Sequence, residues 1–415
     1  MKRIILFKKS LIQEGGAERL IFEVARYFAK FGYETKIMAI VGKTPEKSFG
    51  GIYKDIKVEI LYNENYPMYF FKKIAVSLMS ISKLRKEFRS FKPDIIVGQN
   101  PADTEIVYFA SLGLRIPYAT FLYASFFNFP DDGLKYLMPF KRVFEKIRDA
   151  TSGHQTFIPL KSPVKDFLKQ LPLRFRAWIN YFVVRRAVCA FSMTRRMAWE
   201  NEQLYHRPII DIKSGVRLSF FNYKQKNNIR LKFGFPNDGK MLVDVSRLIP
   251  GKRIDLCVKT IAELRKKRKD IYFIVGGNGP EKEKLKKLIN DLNLSDYVIL
   301  AGFIAEEDLL DFYASADVIF HPAWIDFDLT IMEGLSLGKK IICSTDYDLS
   351  GKLGVLKEKL IFQAEPNPLA MARAVEDALA AASVPEIKIE SILKKFTWEA
   401  YAQNIASHLS NAIKQ

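Results

Sequence analysis

Between Met241 and Ser344 the sequence alternates in a steady rhythm between short apolar runs and helical patterns, and this alternation restricts the fold more than any other feature. "MLVDVSRL", "IYFIVGG", "YVILAGF", the run Val318–Phe320 and the run at Ile341 and Ile342 read as strands. "RIDLCVKTIAELRKK", "EKEKLKKLINDLN", "EEDLLDFYASA" and a short pattern from Leu329, stopped by Gly338, read as the helices between them. Strands separated by helices predict a parallel sheet covered on both faces. In such a sheet ligands bind at the carboxyl ends of the strands, where a helix N-terminus offers unpaired N–H groups to an anion. Glu333 is expected one turn inside the helix that begins at Leu329, facing that crevice.

The first half begins in the same way. "RIILF" is a strand, Gly15 and Gly16 open a helix with Leu20, Ile21, Val24, Ala25 and Phe28 on one face, and "ETKIMAIV" is the next strand. The glycine pair has two readings, a backbone that approaches a ligand closely and a tight turn with no ligand. "PDIIVGQN" and "YATFLYAS" continue the alternation, and "CAFSMT" and "IIDIKSGV" close it around the helical "RRMAWENEQLY". A chain of 415 residues suits two domains. We expect them over 1–215 and 216–395, joined near the polar "FNYKQKNN", with an amphipathic helix over 396–415 packing back across the cleft.

Charge divides the halves. Residues 1–215 hold 36 Lys and Arg against 20 Asp and Glu, and residues 216–415 hold 29 against 26, so the basic excess sits in the first half. That bias fits an anionic surface. Residues 66–92 carry Phe70, Ile74, Leu78, Ile81, Leu84 and Phe88 at helical spacing, with Lys72, Lys83 and Lys86 opposite and Lys73, Arg85 and Arg89 flanking. Such a helix lies on an anionic bilayer or packs its stripe on the sheet. Further on, Arg174, Arg176, Arg185 and Arg186 surround Trp178, Tyr181 and Phe182, a mixture suited either to the headgroup layer or to helices covering the domain. No apolar run reaches the length of a membrane span, and the N-terminal run is too short for a signal peptide. Cys189, Cys257 and Cys343 sit in apolar patterns and read as buried free thiols, which fits the cytoplasm. A nucleic-acid role rests on the basic balance alone, and no nucleic acid is expected as a partner.

The chemistry concentrates in the second half. Arg247 closes a strand and Lys252 follows across the Pro250-Gly251 turn, and two cations at a strand end near a helix N-terminus suit a diphosphate. Gly276, Gly277 and Gly279 form a second strand-to-helix turn whose spacing does not match the dinucleotide fingerprint, so it reads as close backbone passage beneath a nucleoside. A carboxylate such as Glu333 can accept both hydroxyls of a ribose. No His, Cys or Asp spacing suits a metal, and none is expected. His321, at the end of a strand, reads as a satisfied structural histidine.

In order and spacing, "GGAERLIFEVARYFAKFGYE", "SGV", "VSRLIPGKRIDLCVKTIAEL", "FIVGGNGPEKEKLKKL", "VILAGFIAEEDLLDFYASADVIFHPAW" and "IMEGLSLGKKIICS" resemble the retaining GT-B glycosyltransferases of family 4 over nearly the whole chain. The resemblance implies two Rossmann-like doubly wound α/β domains facing a central cleft, and transfer of a hexose from a nucleoside diphosphate sugar, without metal or other cofactor, to a lipid-linked or membrane-proximal glycan. It gives Gly16 a place at the phosphates, Arg247 and Lys252 the diphosphate, the backbone around Phe303 the base, Leu329 and Thr330 phosphate contacts through N–H groups, and Glu333 the ribose. Two positions depart from the family. Ile325 stands where relatives have a glutamate, leaving Asp326 or Asp328 as substitutes, with Asp328 also suited to cap the following helix. Tyr123 stands where relatives have a histidine that meets the donor sugar, and it reads as a hydroxyl donor or as a packed aromatic.

Overall fold

The computed structural model describes residues 1–12, 16–44, 51–63, 70–123, 143, 165–212, 215–323, 329–345, 353 and 355–414, with only the backbone at 17, 63, 70–78, 165–174, 176 and 386–387. The chain divides into two compact units, Met1–Lys213 together with Trp398–Gln415, and Ser214–Thr397.

The first unit runs β1 (Arg3–Leu11), α1 (Gly16–Lys30), β2 (Glu34–Gly42), β3 (Val58–Asn63), α2 (Phe70–Phe91), β4 (Ile95–Gly98), α3 (Pro101–Ser111), β5 (Tyr118–Leu122), α4 (Lys165–Arg186), β6 (Ala190–Ser192), α5 (Arg195–Tyr205) and β7 (Ile210–Asp211). Its strands form one parallel sheet in the order β3-β2-β1-β4-β5-β6-β7. The order reverses direction between β1 and β4, which opens a crevice at their carboxyl ends. Asn100 caps α3, its side chain accepting the Asp103 N–H, and Pro101 takes the first helical position, where its missing N–H costs nothing.

The second unit runs β8 (Lys240–Val245), α7 (Ile254–Arg265), β9 (Ile271–Gly276), α8 (Lys282–Asp291), β10 (Val298–Gly302), α9 (Glu306–Ala314), β11 (Val318–Phe320), α10 (Leu329–Ser336), β12 (Lys340–Ser344), α11 (Val355–Leu360), β13 (Ile361–Ala364), α12 (Pro368–Ala380) and α13 (Glu386–Leu393), with the single turn α6 (Ile229–Lys232) before them. The sheet is parallel, ordered β10-β9-β8-β11-β12-β13, and reverses between β8 and β11. Successive residues of one strand serve opposite cores: Val243, Ile274, Ile319 and Ile341 pack on one side, Leu242, Phe273, Val318 and Ile342 on the other. Burial on both faces explains why these strands read as unbroken apolar runs. The chain then returns to the first unit as α14 (Trp398–Lys414), which packs along α1 and buries Tyr401, Ile405 and Leu409.

Parts of two helices noted above are described here. In α2, Leu84 and Phe88 are fully buried in the first core and Ile81 packs against them, so this part of the stripe serves the sheet and leaves Met79, Lys83, Lys86 and Arg89 outward. In α4, Val183 and Val184 are buried, Phe175 and Trp178 stand exposed, and Arg185 and Arg186 lie over the rings of Tyr181 and Phe182. The three cysteines are buried free thiols. Among the described residues no helix is long and apolar enough to cross a membrane.

Candidate active site

In the second unit the site grows from the strand pair at the switch point. β8 and β11 pair with Leu242 opposite Val318, which runs Asp244 up beside the end of β11, where His321 follows. Both side chains are wholly buried, and Asp244 Oδ1 is hydrogen bonded to His321 Nδ1. Asp244 Oδ2 accepts the Ser246 hydroxyl at 2.5 Å. Burial depresses the pKa of His321 against the pull of Asp244, so the ring is neutral and its Nδ1–H is the donor.

Beyond β8 the chain turns through Ser246–Arg253. Leu248 is buried and anchors the turn, accepting the Glu281 N–H at 3.1 Å, while Arg247 beside it points to solvent. The turn presses against the glycines that follow β9. A Cβ at Gly277 would overlap the Ser246 carbonyl oxygen, one at Gly279 would overlap that of Leu248, and Gly277 also has φ +137°. The immediate reason for these glycines is thus the loop that carries Arg247. Lys252 ends a 3₁₀ turn, half-buried, and its ammonium pKa falls to about 8: burial lowers it, Asp244 pulls it back up, and Arg247 adds to the fall. Arg253 takes the left-handed region at φ 53° and donates to the Pro322 carbonyl (3.4 Å) and the Ser344 hydroxyl (3.2 Å), tying this loop to the ends of β11 and β12.

The start of α10 is bound to the same edge, because the Thr330 hydroxyl donates to the Val245 carbonyl at 2.7 Å. One turn on, Glu333 is buried. The fully buried Tyr313 of α9 is hydrogen bonded to both Thr330 and Glu333, and burial, with the Glu333 charge beside it, raises its phenol well above the usual range. Gly334 lets α10 settle on the sheet, since a Cβ there would stand 2.8 Å from Ile341 Cδ1 and 2.9 Å from Ile319 Cγ1. Phe303 is exposed just past β10, after Gly302 at φ 76°. Arg247, Lys252, Leu329, Thr330 and Glu333 therefore all belong to the carboxyl edge around β8 and β11. Ile325, Asp326 and Asp328 lie outside the described residues, as does Gly15.

The first unit has its own cluster at the carboxyl ends of β1, β4 and β5. The Tyr123 hydroxyl donates to Gln99 Oε1 at 2.6 Å, and the ring stacks on Phe121 with centroids 5.0 Å apart. The Tyr123 ring is thus packed, and its hydroxyl hydrogen is given to Gln99. Asp103 is buried, accepts the Lys9 N–H at 3.0 Å and the Asn100 amide at 2.7 Å, and its carboxyl rises to about 6, because burial outweighs the pull of Lys8. Lys8 pairs with Glu18 at 3.4 Å, two residues beyond the exposed Gly16. Sequence reasoning passed over Asp244, Tyr313, Asp103, Lys8 and Glu18. The signal available for Asp244 was a lone carboxylate inside the apolar "MLVDV".

Two family models match the chain, one over each half. Residues 14–216 match the model of Glycosyltransferase Family 4, and residues 225–411 match that of Glycosyl transferases group 1. One component of the phosphatidylinositol N-acetylglucosaminyltransferase of Homo sapiens is 30% identical over 173 residues, covering 40% of this chain and 35% of that protein. The chain spans about half or less of the length of curated relatives it matches. Among solved structures, the sucrose-phosphate synthase of Thermosynechococcus elongatus superposes with a TM-score of 0.73 at 16% identity over 99% of both chains. An Anabaena protein in complex with UDP-glucose does so at 0.65 and 16%, over 99% of this chain and all of its own.

Proposed function

The chain belongs to glycosyltransferase family 4, with the GT-B fold, and from that premise we propose that it is a retaining enzyme moving a hexose from a nucleoside diphosphate sugar to a lipid-linked or membrane-proximal glycan. One observation carries the reading: two cations, Arg247 and Lys252, share a strand edge with a helix N-terminus and a buried carboxylate, Glu333. In this reading Arg247, Lys252 and the first N–H groups of α10 bind the diphosphate and stabilise the charge that grows on it as the sugar leaves. Glu333, fixed by Tyr313, accepts the ribose hydroxyls, and Phe303 borders the base. The departing diphosphate takes the acceptor's proton on the face where the new bond forms, so no side-chain nucleophile is required. The two cations supply the neutralisation a metal would give, and we propose a metal-independent reaction. Asp326 or Asp328 serves toward the donor sugar where Ile325 cannot.

The human relative named for a phosphatidylinositol acceptor supports a lipid-linked acceptor, and the Anabaena complex supports a nucleotide-sugar donor. Exposed Lys83, Lys86 and Arg89 on α2, with Phe175 and Trp178 on α4, support a peripheral place on an anionic cytoplasmic membrane face. Ile325 favours a second reading, a nucleotide-sugar-binding scaffold without turnover. A thermal-shift panel of nucleoside diphosphate sugars, followed by turnover with lipid-linked acceptors and determination of the product's anomeric configuration, separates the two. Charge reversal at Arg247 or Lys252 should lower donor affinity at least a hundredfold, and retained affinity would refute the diphosphate assignment.

A further inference from the structure

At the amino edge of the first sheet lies a cavity of about 410 Å³ that the proposed reaction does not use. Asp94, just before β4, and Pro117, just before β5, both line it, so it sits at the opposite end of these strands from the crevice between β1 and β4. Phe88, Leu114 and Pro117 give it apolar walls, and its volume is that of a small-molecule site.

Charge distinguishes it. Arg89, Lys92 and Arg115 line the cavity and are exposed, and among the described residues none of the three side chains has an ion-pair or hydrogen-bond partner. The one acid of the lining, Asp94, is already engaged. Its Oδ2 accepts the N–H groups of Lys2 and of Arg3, the latter at 2.9 Å, and these bonds hold the carboxyl below its usual range. Cations near helix ends ordinarily cover the last carbonyls, but other residues do so here. Arg3 Nη1 donates to the Phe91 carbonyl at the end of α2 (3.2 Å), and Arg85 Nη1 to the Ala110 carbonyl near the end of α3 (3.4 Å). Two of the three unpaired cations also stand on backbone that favours glycine, Lys92 at φ 49° and Arg115 at φ 56°. Glycine holds such a conformation at less cost, so both side chains are placed there against local preference.

We propose that this cavity is a second anion site, which takes a phosphate monoester between Arg89, Lys92 and Arg115. Three cations against one engaged carboxylate suit a group carrying nearly two negative charges, and the half-buried Leu114 and Pro117 give its organic substituent an apolar surface to rest on. Such a group comes either from a soluble phosphorylated metabolite or from the headgroup of an anionic lipid.

The test uses the full chain carrying Arg247→Ala and Lys252→Ala, so that the proposed donor edge contributes no binding. Inorganic phosphate and glycerol 3-phosphate, titrated by calorimetry, should bind at one site per chain. Lys92→Gly and Arg115→Gly leave the left-handed backbone at ease and should each weaken that binding about tenfold or more. Lys86→Ala, which removes a cation of α2 outside the cavity, should leave it unchanged. Arg89→Ala gives the same readout if a glycine variant fails to fold. In the lipid arm, phosphatidylcholine vesicles containing phosphatidic acid, a monoester, are compared by sedimentation with vesicles containing phosphatidylglycerol, a diester. Soluble probes that bind and are lost in the cavity variants identify a metabolite site. A preference for phosphatidic acid that the same variants abolish, with no binding of soluble probes, identifies the lipid, and both effects together show that the site takes either. If soluble binding is absent or indifferent to the cavity variants, and these variants also leave vesicle binding at the parental level, the proposal is overturned.

Discussion

Asp103 shows what a single buried carboxylate does to this molecule. Its folded pKa, raised to about 6 by burial, lies above the ordinary 3.8, so the native state holds this proton more tightly than the unfolded chain. The stability that follows is fully present below about pH 4 and is lost as pH rises through 6. A shift of that size corresponds to roughly 3 kcal/mol. Asp103→Asn keeps an acceptor for the Lys9 N–H but cannot ionise. Its melting temperature should therefore gain several degrees on the parent between pH 4 and 7, and a difference that stays constant with pH would refute the assignment. That Arg247, Lys252 and Glu333 share one strand edge was legible in the sequence, because the strand and helix ends that carry them could be read from apolar periodicity. Asp244 and Asp103 were not, because apolar periodicity reports which positions are buried and says nothing of why a charge is tolerated among them.

At the level of elements, α10 depends on a glycine. Gly334→Ala would push a methyl against Ile341 and Ile319, and the helix must lift from β11 and β12 to admit it. We expect a loss of about 1–3 kcal/mol in thermal or denaturant unfolding. Because Thr330 and Glu333 ride on the same helix, donor affinity should fall with it, and a variant equal to the parent in both stability and affinity would show that α10 has room to spare. The long alternating elements of the second unit were legible because burial on both faces leaves a strong apolar signature. Others were hidden for physical reasons. β3, "VEILYN", is only partly buried and begins with an alternation a loop could carry, and β7 shrinks to Ile210–Asp211 because it ends the sheet. The Gly277 and Gly279 turn was visible as a turn, but the carbonyls of Ser246 and Leu248 that demand glycine there come from a loop some thirty residues earlier.

For the molecule as a whole, the basic excess of the first half is the feature with a direct readout. Since the α2 stripe from Ile81 onward is consumed by the sheet, the bilayer contact proposed above would rest at that end of α2 on charge, with the exposed Phe175 and Trp178 of α4 as its apolar part. Sedimentation with anionic vesicles should weaken steeply as salt is raised. Lys83→Glu, Lys86→Glu and Arg89→Glu together should remove most of it, and Phe175→Ser with Trp178→Ser should remove the part that survives salt. Binding indifferent to all of these would exclude both helices from the membrane.

The return of α14 to the first unit carries a consequence for biosynthesis. A ribosome emits the first unit nearly whole, then the entire second unit, and only afterwards the helix whose Tyr401, Ile405 and Leu409 complete the first core. The first unit is thus finished only after the second has emerged, and until Trp398–Lys414 follows, α1 lacks the helix that covers it. The second unit, continuous in sequence, can close on its own during that wait. A nascent chain stalled before Trp398 would present an apolar surface to chaperones, so completeness of translation is itself a condition of the first domain's stability.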